Sequence, residues 1–449
     1  MASPFELPTD RLATTTETGD RNYLYPAQVR GPLRTIRTYF YNALLLFFLI
    51  LPWTKINGHQ TILLDIPHRK FAIFGLTFWA HEVPILFLVL ISFTLGILLI
   101  STLFGRVWCG WACPQTIFID TVYRKIETWL EGEGLTQKRF NQKALSPQKV
   151  MIKLVKWSLF LAVSLLISHS FLAYFVGSNH IINLIENNPA NNWSAFMAMG
   201  IMTGIVLFDF GWFREQFCII ACPYGRLQSV ILDEESTVVS YDKNRSDCVN
   251  CYRCVQVCPT GIDIRRGTQM ECIMCTACVD ACNEVMVKSE LPKNLIRFSS
   301  ETKNNGKKTR HLRPRTITYS LLLTLTLSAL ILSISTRDMT PTFVKRQSNP
   351  PYETIENEML RNEFNITIRN QYFKPIEATI QTNTKTPKNI RLIAPIKTLK
   401  IQEGTQETYT VFIEFPKALL KNGTAKIVLN KAIQHSDKPL EVTLSGPLS

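Results

Sequence analysis

No cysteine follows Cys282, so the chain beyond that point cannot be stapled by disulfides and offers no thiolate site. No C-x-x-C-H run occurs anywhere, which excludes covalent c-type haem. Histidine is scarce, 7 in all, and His59, His68, His81, His169 and His180 share no fixed spacing from which a haem or copper site can be read. Charged residues make up only 19% of the chain against 46% hydrophobic, too apolar for an ordinary soluble enzyme, so part of it sits in lipid. A cleavable signal peptide is not expected, because the polar stretch before the first apolar run is far longer than a signal's n-region and no small-residue cleavage site follows. The excess charge of +14 lies in clusters that flank apolar runs, so a nucleic-acid partner is unnecessary.

Apolar runs near the ~20 residues that cross a bilayer lie at about 38–53, 83–104, 157–177, 193–213 and 317–335. These predict five spanning helices. The stretch from Phe71 to Ala80 is too short for a sixth and reads as an interfacial or re-entrant piece. Basic residues are concentrated in the N-terminal tail (Arg11, Arg21, Arg30, Arg34, Arg37), from Arg106 to Lys156, and from Arg297 to Arg315. The loop Ser178 to Asn192 has none, and the loop after the first run has only Lys55, Arg69 and Lys70. The bias predicts that the three basic regions are cytoplasmic and the C-terminus is exported.

Eight cysteines fall in two runs of one spacing: Cys248, Cys251, Cys254, Cys258, then Cys272, Cys275, Cys278, Cys282. This is the pattern of a bacterial two-cluster ferredoxin, in which the fourth cysteine of each run crosses to the other [4Fe-4S] cluster. Cys248, Cys251, Cys254 and Cys282 are then one ligand set, and Cys272, Cys275, Cys278 and Cys258 the other. Zinc knuckles are paired C-x-x-C units set further apart, and disulfides need an oxidising compartment. The second run has Asn283 where the first has Pro259, a change in turn stiffness rather than in ligand count.

The other four cysteines form an internal repeat, C-x-x-x-C-P. Cys109 and Cys113 precede Pro114 just after the second apolar run, and Cys218 and Cys222 precede Pro223 just after the fourth. Both runs travel in the same direction, so both pairs belong at one membrane face, beside the ferredoxin. If each segment is helical, the i, i+4 spacing puts both sulfurs of a pair on one side. Two thiolates from each repeat make a four-sulfur site suited to Cu(I), zinc or an iron–sulfur cluster. Arg106, Arg214 and Arg226 are expected to favour the thiolate form. The plainer reading is four buried structural cysteines. Met197, Met199 and Met202 lie on the fourth run, where packing is the commoner role and Cu(I) transfer the rarer one.

From about Thr340 the pattern changes. Phe364–Arg369, Glu377–Gln381, Ile390–Ile393, Glu407–Glu414 and Lys426–Leu429 alternate apolar and polar residues, which predicts an antiparallel β-sandwich of about 100 residues. The tail shows no catalytic constellation and suits docking. The expected division is a cytoplasmic tail over 1–36, four helices with both motifs over 37–230, the ferredoxin over 231–300, a basic segment and fifth helix over 301–336, and the sandwich over 340–449. The fold class is thus a multi-domain membrane protein: a five-helix α bundle, an α+β ferredoxin and an immunoglobulin-like β-sandwich.

On these residues, with the Asp65-Ile66-Pro67 stretch, the chain resembles the FixG family, also called CcoG, of cytochrome c oxidase accessory proteins. Membrane ferredoxins of the NapH type share part of the pattern. The resemblance implies a multi-pass protein of the bacterial inner membrane that reduces Cu(II) to Cu(I) for assembly of the cbb-type oxidase. It implies two [4Fe-4S] clusters on the eight ferredoxin cysteines, and copper-handling or redox thiols at Cys109, Cys113, Cys218 and Cys222. The partners implied are oxidase assembly factors or copper carriers and an electron donor the sequence does not name; a homo-oligomer is compatible with this. The alternatives are a NapH-like membrane protein relaying electrons from quinol, and a non-catalytic assembly scaffold.

Overall fold

The computed structural model describes residues 12–447, except 57, 67–69, 75, 80–81, 311, 348–350, 356–357, 373, 384–386, 388, 396–397 and 434–435. Pro67, His68, His81 and Ala80 therefore lie outside the described residues. The chain forms two units, one of residues 1–75 and 79–332 and one of residues 76–78 and 333–449.

Five helices of the first unit and its boundary are long and apolar enough to cross a membrane. We name them α1 (Pro32–Ile50), α2 (Val83–Phe104), α3 (Pro147–Val176), α4 (Trp193–Phe208) and α5 (Pro314–Ser335). A span of 22 residues, as in α2 and α5, is about 33 Å long at ~1.5 Å per residue, enough for a ~30 Å hydrocarbon core. Three helices, α1, α3 and α5, start earlier than their apolar runs. α3 begins at Pro147 because Ser146 accepts from Lys149 N at 3.2 Å and proline suits the first turn, so its first ten residues are a polar foot carrying Lys149, Lys153 and Lys156.

Strands occupy the segment read as interfacial or re-entrant. Ile62–Asp65 pairs antiparallel with Lys70–Ile73, and Leu76–Trp79 is a further strand. A run too short to close its own helix satisfies its backbone by pairing instead.

A shell of buried ion pairs lies where the helices meet the ferredoxin. Asp120 accepts from Arg34 and from Arg37, the latter at 2.5 Å, with Arg124 at 3.7 Å. Glu127 takes a two-pronged bond from Arg214 (2.7 Å each) and has Lys156 at 3.4 Å. These pairs tie α1, α3 and the end of α4 to the segment that follows the first motif. Asp120 sits in a π-helical turn, Ile119–Tyr123, which widens the backbone there.

The ferredoxin core is built on strands Val238–Tyr241 and Ile296–Ser299, paired antiparallel, with helix Ala277–Lys288 packed on them. It joins the helices directly. Thr237 N donates to Leu103 O at 2.9 Å, and the N-terminal segment crosses its loops through Ala27 N to Gln256 O at 2.9 Å.

In the second unit two antiparallel sheets face each other over one apolar core. The first runs Arg391–Ile393, Gln406–Pro416, Met359–Arg369, Thr342–Arg346, with Glu353–Ile355 also on Met359–Arg369; the second runs Leu399–Ile401, Ile376–Thr382, Thr424–Ile433, Ser436–Ser445. Phe364, Ile366, Ile368, Val411, Ile413 and Phe415 alternate inward from the two long central strands. Thr342–Arg346, Glu353–Ile355, Leu399–Ile401 and Ser436–Ser445 have no counterpart among the strands expected from sequence. They are mostly short or edge strands, where alternation is weak.

Candidate functional site

The ferredoxin loops carry one backbone device twice. Asn250 and Tyr252 in the first run, and Met274 and Thr276 in the second, all have positive φ, from 51° to 64°, at matching positions around the second cysteine. Non-glycine residues in this region are strained and persist where the surroundings over-determine them, here by turning three cysteines of a run inward. The result is two cavities. One is lined by Cys248, Cys251, Cys254 and Cys282 with Tyr241, Val285, Met286 and Ile296. The other is lined by Cys258, Cys272, Cys275 and Cys278 with Val239, Ile262, Ile264 and Met274, and Cys254 stands at its edge. The fourth cysteine of each run thus lines the cavity of the other.

Burial pushes the Cys254 and Cys272 thiols up to about 12 and Cys282 to about 11. Thiolates in such surroundings need the positive charge of iron. Four soft donors per apolar cavity are the donor set of a [4Fe-4S] cluster, so the residues fit the group.

The C-x-x-x-C-P motifs differ from the expectation of one helical face. Cys109 lies in the short helix Val107–Trp111, which breaks at Ala112 (φ −123°), and Cys113 caps the next helix, Pro114–Phe118. Cys218 lies in a π-helical turn, Phe217–Ala221, and Cys222 caps helix Pro223–Ile231, its sulfur accepting from Gly225 N at 3.4 Å. The proline of each motif has φ suited to a first helical turn and so starts a helix at the residue after the second cysteine.

The tertiary fold nevertheless brings the two motifs together. Cys109 Sγ donates to Gln228 Oε1 at 2.9 Å, on the helix that Cys222 caps, and Gln228 Nε2 donates to Ser101 Oγ of α2 at 2.7 Å. Each of the four thiols lies within electrostatic reach of the other three. Arg106 reaches both motifs: Nη2 is 3.7 Å from Cys109 Sγ and packs under Gly225, where a Cβ would meet it at 2.6 Å and Cys218 O at 3.2 Å. Arg106 Nη1 also donates to Met270 O in the ferredoxin.

The expectation that three arginines favour thiolates does not hold. Arg214 is committed to Glu127, Arg226 is exposed, and only Arg106 touches a sulfur. Burial outweighs it: the Cys109 and Cys218 thiols are raised, and Cys113 is pushed up to about 11. Among the described residues, no three His, Cys, Asp or Glu side chains converge as ligands of one metal ion. His169 is half-buried, its Nδ1 against Leu165 O at 2.7 Å, and Met202 packs with the apolar core of the bundle.

The first motif lies directly on the second ferredoxin cavity. Cys109 shares an apolar cluster with Val257, Ile273, Cys275 and Ala281. A Cβ at Gly110 would stand 2.9 Å from Met274 C and 3.0 Å from Cys275 N, so only glycine lets the backbones approach. Tyr41 donates to Gly110 O, and Arg37 links Cys275 O to Asp120. Sequence reasoning missed Gly110, Gly225, Gln228 and Tyr41; the two glycines, each within three residues of a motif cysteine, were the available signal.

Residues 213–247 and 243–301 match the family described as 4Fe-4S dicluster domain, and 86–132 the family described as 4Fe-4S binding domain. Residues 330–444 match the IG-like fold at the C-terminal of FixG. Protein RdxA of Cereibacter sphaeroides is 34% identical over 78% of this chain and 80% of its own length. Nitrogen fixation protein FixG of Rhizobium meliloti is 30% identical over 62% of this chain and 57% of its own. Ferredoxin-type protein NapH of Escherichia coli is 25% identical over 42% and 64%. The chain belongs to the FixG-like family of membrane-associated 4Fe-4S electron-transfer oxidoreductases.

Proposed function

We propose that this protein takes electrons into its ferredoxin and releases them at the four motif thiols to reduce Cu(II) to Cu(I), for assembly of a cbb-type cytochrome c oxidase in the bacterial inner membrane. The observation that carries this is the seating of Cys109 and Gly110 on the Cys275 loop. It puts a four-thiol site against the ligands of the second cavity. In this reading Cys248, Cys251, Cys254 and Cys282 hold one cluster and Cys258, Cys272, Cys275 and Cys278 the other; when bound, the clusters supply one electron at a time. Arg106 orients Cys109, Gln228 accepts its proton-side hydrogen bond, and the apolar packing around Cys275 excludes water. Each Cu(II) gains one electron, and the soft thiols favour the Cu(I) product. The ferredoxin is cytoplasmic and the sandwich exported, where it docks assembly factors or copper carriers.

The likeness to NapH supports a second reading, a relay that takes electrons from quinol. One anaerobic experiment separates the two. Dithionite-reduced protein, freed of excess reductant, is given Cu(II) with a Cu(I)-specific chelator. Cluster bleaching that reverses as Cu(I) appears, and that slows in Cys109→Ala or Cys218→Ala, supports copper reduction. Clusters indifferent to Cu(II) but rapidly reoxidised by a quinone analogue overturn it.

A further inference from the structure

We propose that Cys109, Cys113, Cys218 and Cys222 together hold a third iron–sulfur cluster, so that copper is a passing substrate and not the resident of this site. The proposal deepens the reading above by naming the occupant of the thiols, and rests on it only in giving copper the part of substrate.

The donor set is four cysteines, two from each copy of an internal repeat, gathered at one end of the helix bundle. A single tetrahedral ion would hold its sulfurs at ~2.3 Å, so that they stand less than ~4 Å from one another. No group among the described residues converges in that way, neither these four nor the two ferredoxin sets. The ferredoxin sets line two cavities, and the two motifs are drawn together by the Cys109–Gln228 hydrogen bond and by Arg106, which lies against both Cys109 Sγ and Gly225.

The surroundings are built for sulfur. Gly225 N donates to Cys222 Sγ at 3.4 Å, the backbone at Gln115 and Thr116 donates to Cys113, and Arg106 Nη2 stands 3.7 Å from Cys109 Sγ. Hydrogen bonds to the sulfurs are among the means by which proteins tune such clusters. Each second cysteine caps a helix begun by proline, so both repeats present a ligand by the same local device. The sequence likeness points the same way: the 4Fe-4S binding-domain match over 86–132 spans the first motif, and the dicluster match over 213–247 spans the second. Cys109 also packs on Cys275, and Cys254 borders both ferredoxin cavities, so the three sites are contiguous.

The test is elemental. Full-length protein purified anaerobically in detergent is assayed for iron and acid-labile sulfide per chain and examined by Mössbauer spectroscopy. The expected result is about 12 iron and about 12 sulfide, as for three four-iron clusters. Cys109→Ser with Cys218→Ser should lose about four irons while the reduced ferredoxin EPR signal persists, which also shows that the variant has folded. About eight irons in the wild-type chain, or one equivalent of copper or zinc that disappears in the double variant, overturns the proposal. Copper reduction is scored separately. A protein with about 12 irons that leaves Cu(II) untouched keeps this inference and sinks the cupric reading, and about eight irons with copper reduction does the reverse.

Discussion

Substituting Gly110 tests whether the contact between the first motif and the ferredoxin carries current. A Cβ there would lie 2.9 Å from Met274 C and closer still to Ile273 O, against the 3.4 Å at which ordinary contact begins. Both neighbours are backbone, and the nearer, Ile273 O, sets the size of the shift, so the loop Ile273–Cys275 has to retreat bodily by about 1 Å. Overpacking of this kind costs about 1–3 kcal/mol, which a chain of this size tolerates. Misplacing reacting groups by ~1 Å costs on the order of 10²-fold, so a slowing of roughly that size is expected. The assay is stopped-flow reoxidation of reduced Gly110→Ala protein by Cu(II), with iron content measured in parallel. The expected result is an unchanged ferredoxin EPR spectrum and a slowed appearance of Cu(I). Reoxidation at the wild-type rate with full iron content would refute the route.

Further outcomes follow from the same geometry. Cys258→Ser should abolish the cluster of the second cavity while sparing that of Cys248, Cys251, Cys254 and Cys282, although Cys258 belongs to the first run; EPR of the reduced variant reads this. Arg214→Ala removes the two-pronged partner of buried Glu127, leaving it Lys156, and should destabilise the helix bundle by about 3 kcal/mol, seen as a lower thermal midpoint in detergent. The Arg214 guanidinium and Lys156 overcome burial and hold the Glu127 carboxyl down at about 2, against 4.5 ordinarily. Its contribution, roughly 3 kcal/mol, is therefore present above pH ~4.5 and is lost as pH falls through about 2. The gap in melting temperature between wild type and Glu127→Gln should narrow over that window, and a constant gap would contradict the assignment. In the sandwich, Phe415 is fully buried, so Phe415→Ala should cost about 3–5 kcal/mol. It should expose the tail to limited proteolysis of the full chain while leaving the iron content unchanged.

The crossed lining of the two cavities by the eight ferredoxin cysteines was legible in their spacing: three cysteines separated by two residues can share one loop, and a fourth beyond a three-residue gap cannot. The five apolar helices were legible from length alone, and the sandwich from alternation in Met359–Arg369 and Gln406–Pro416, which are long enough to show period two. Where alternation ran for only three residues, as at Leu399–Ile401, it carried no signal. The helical spacing of Cys109 and Cys113 misled, since Pro114 and Pro223 begin new helices and bend the chain between the cysteines. Arg214 is close to Cys218 in sequence, but its bidentate pairing with Glu127 commits its charge elsewhere.

The sequence by itself determined the cysteine spacing, the five long apolar helices and the repeat, since each is set by spacing along the chain and by the apolar length a bilayer demands. Only the tertiary structure decided that Cys109 meets the helix capped by Cys222, and that Gly110 seats on Ile273–Cys275. Those contacts join segments more than a hundred residues apart. They depend on which backbones can approach and which buried charges find partners, and spacing along the chain encodes neither.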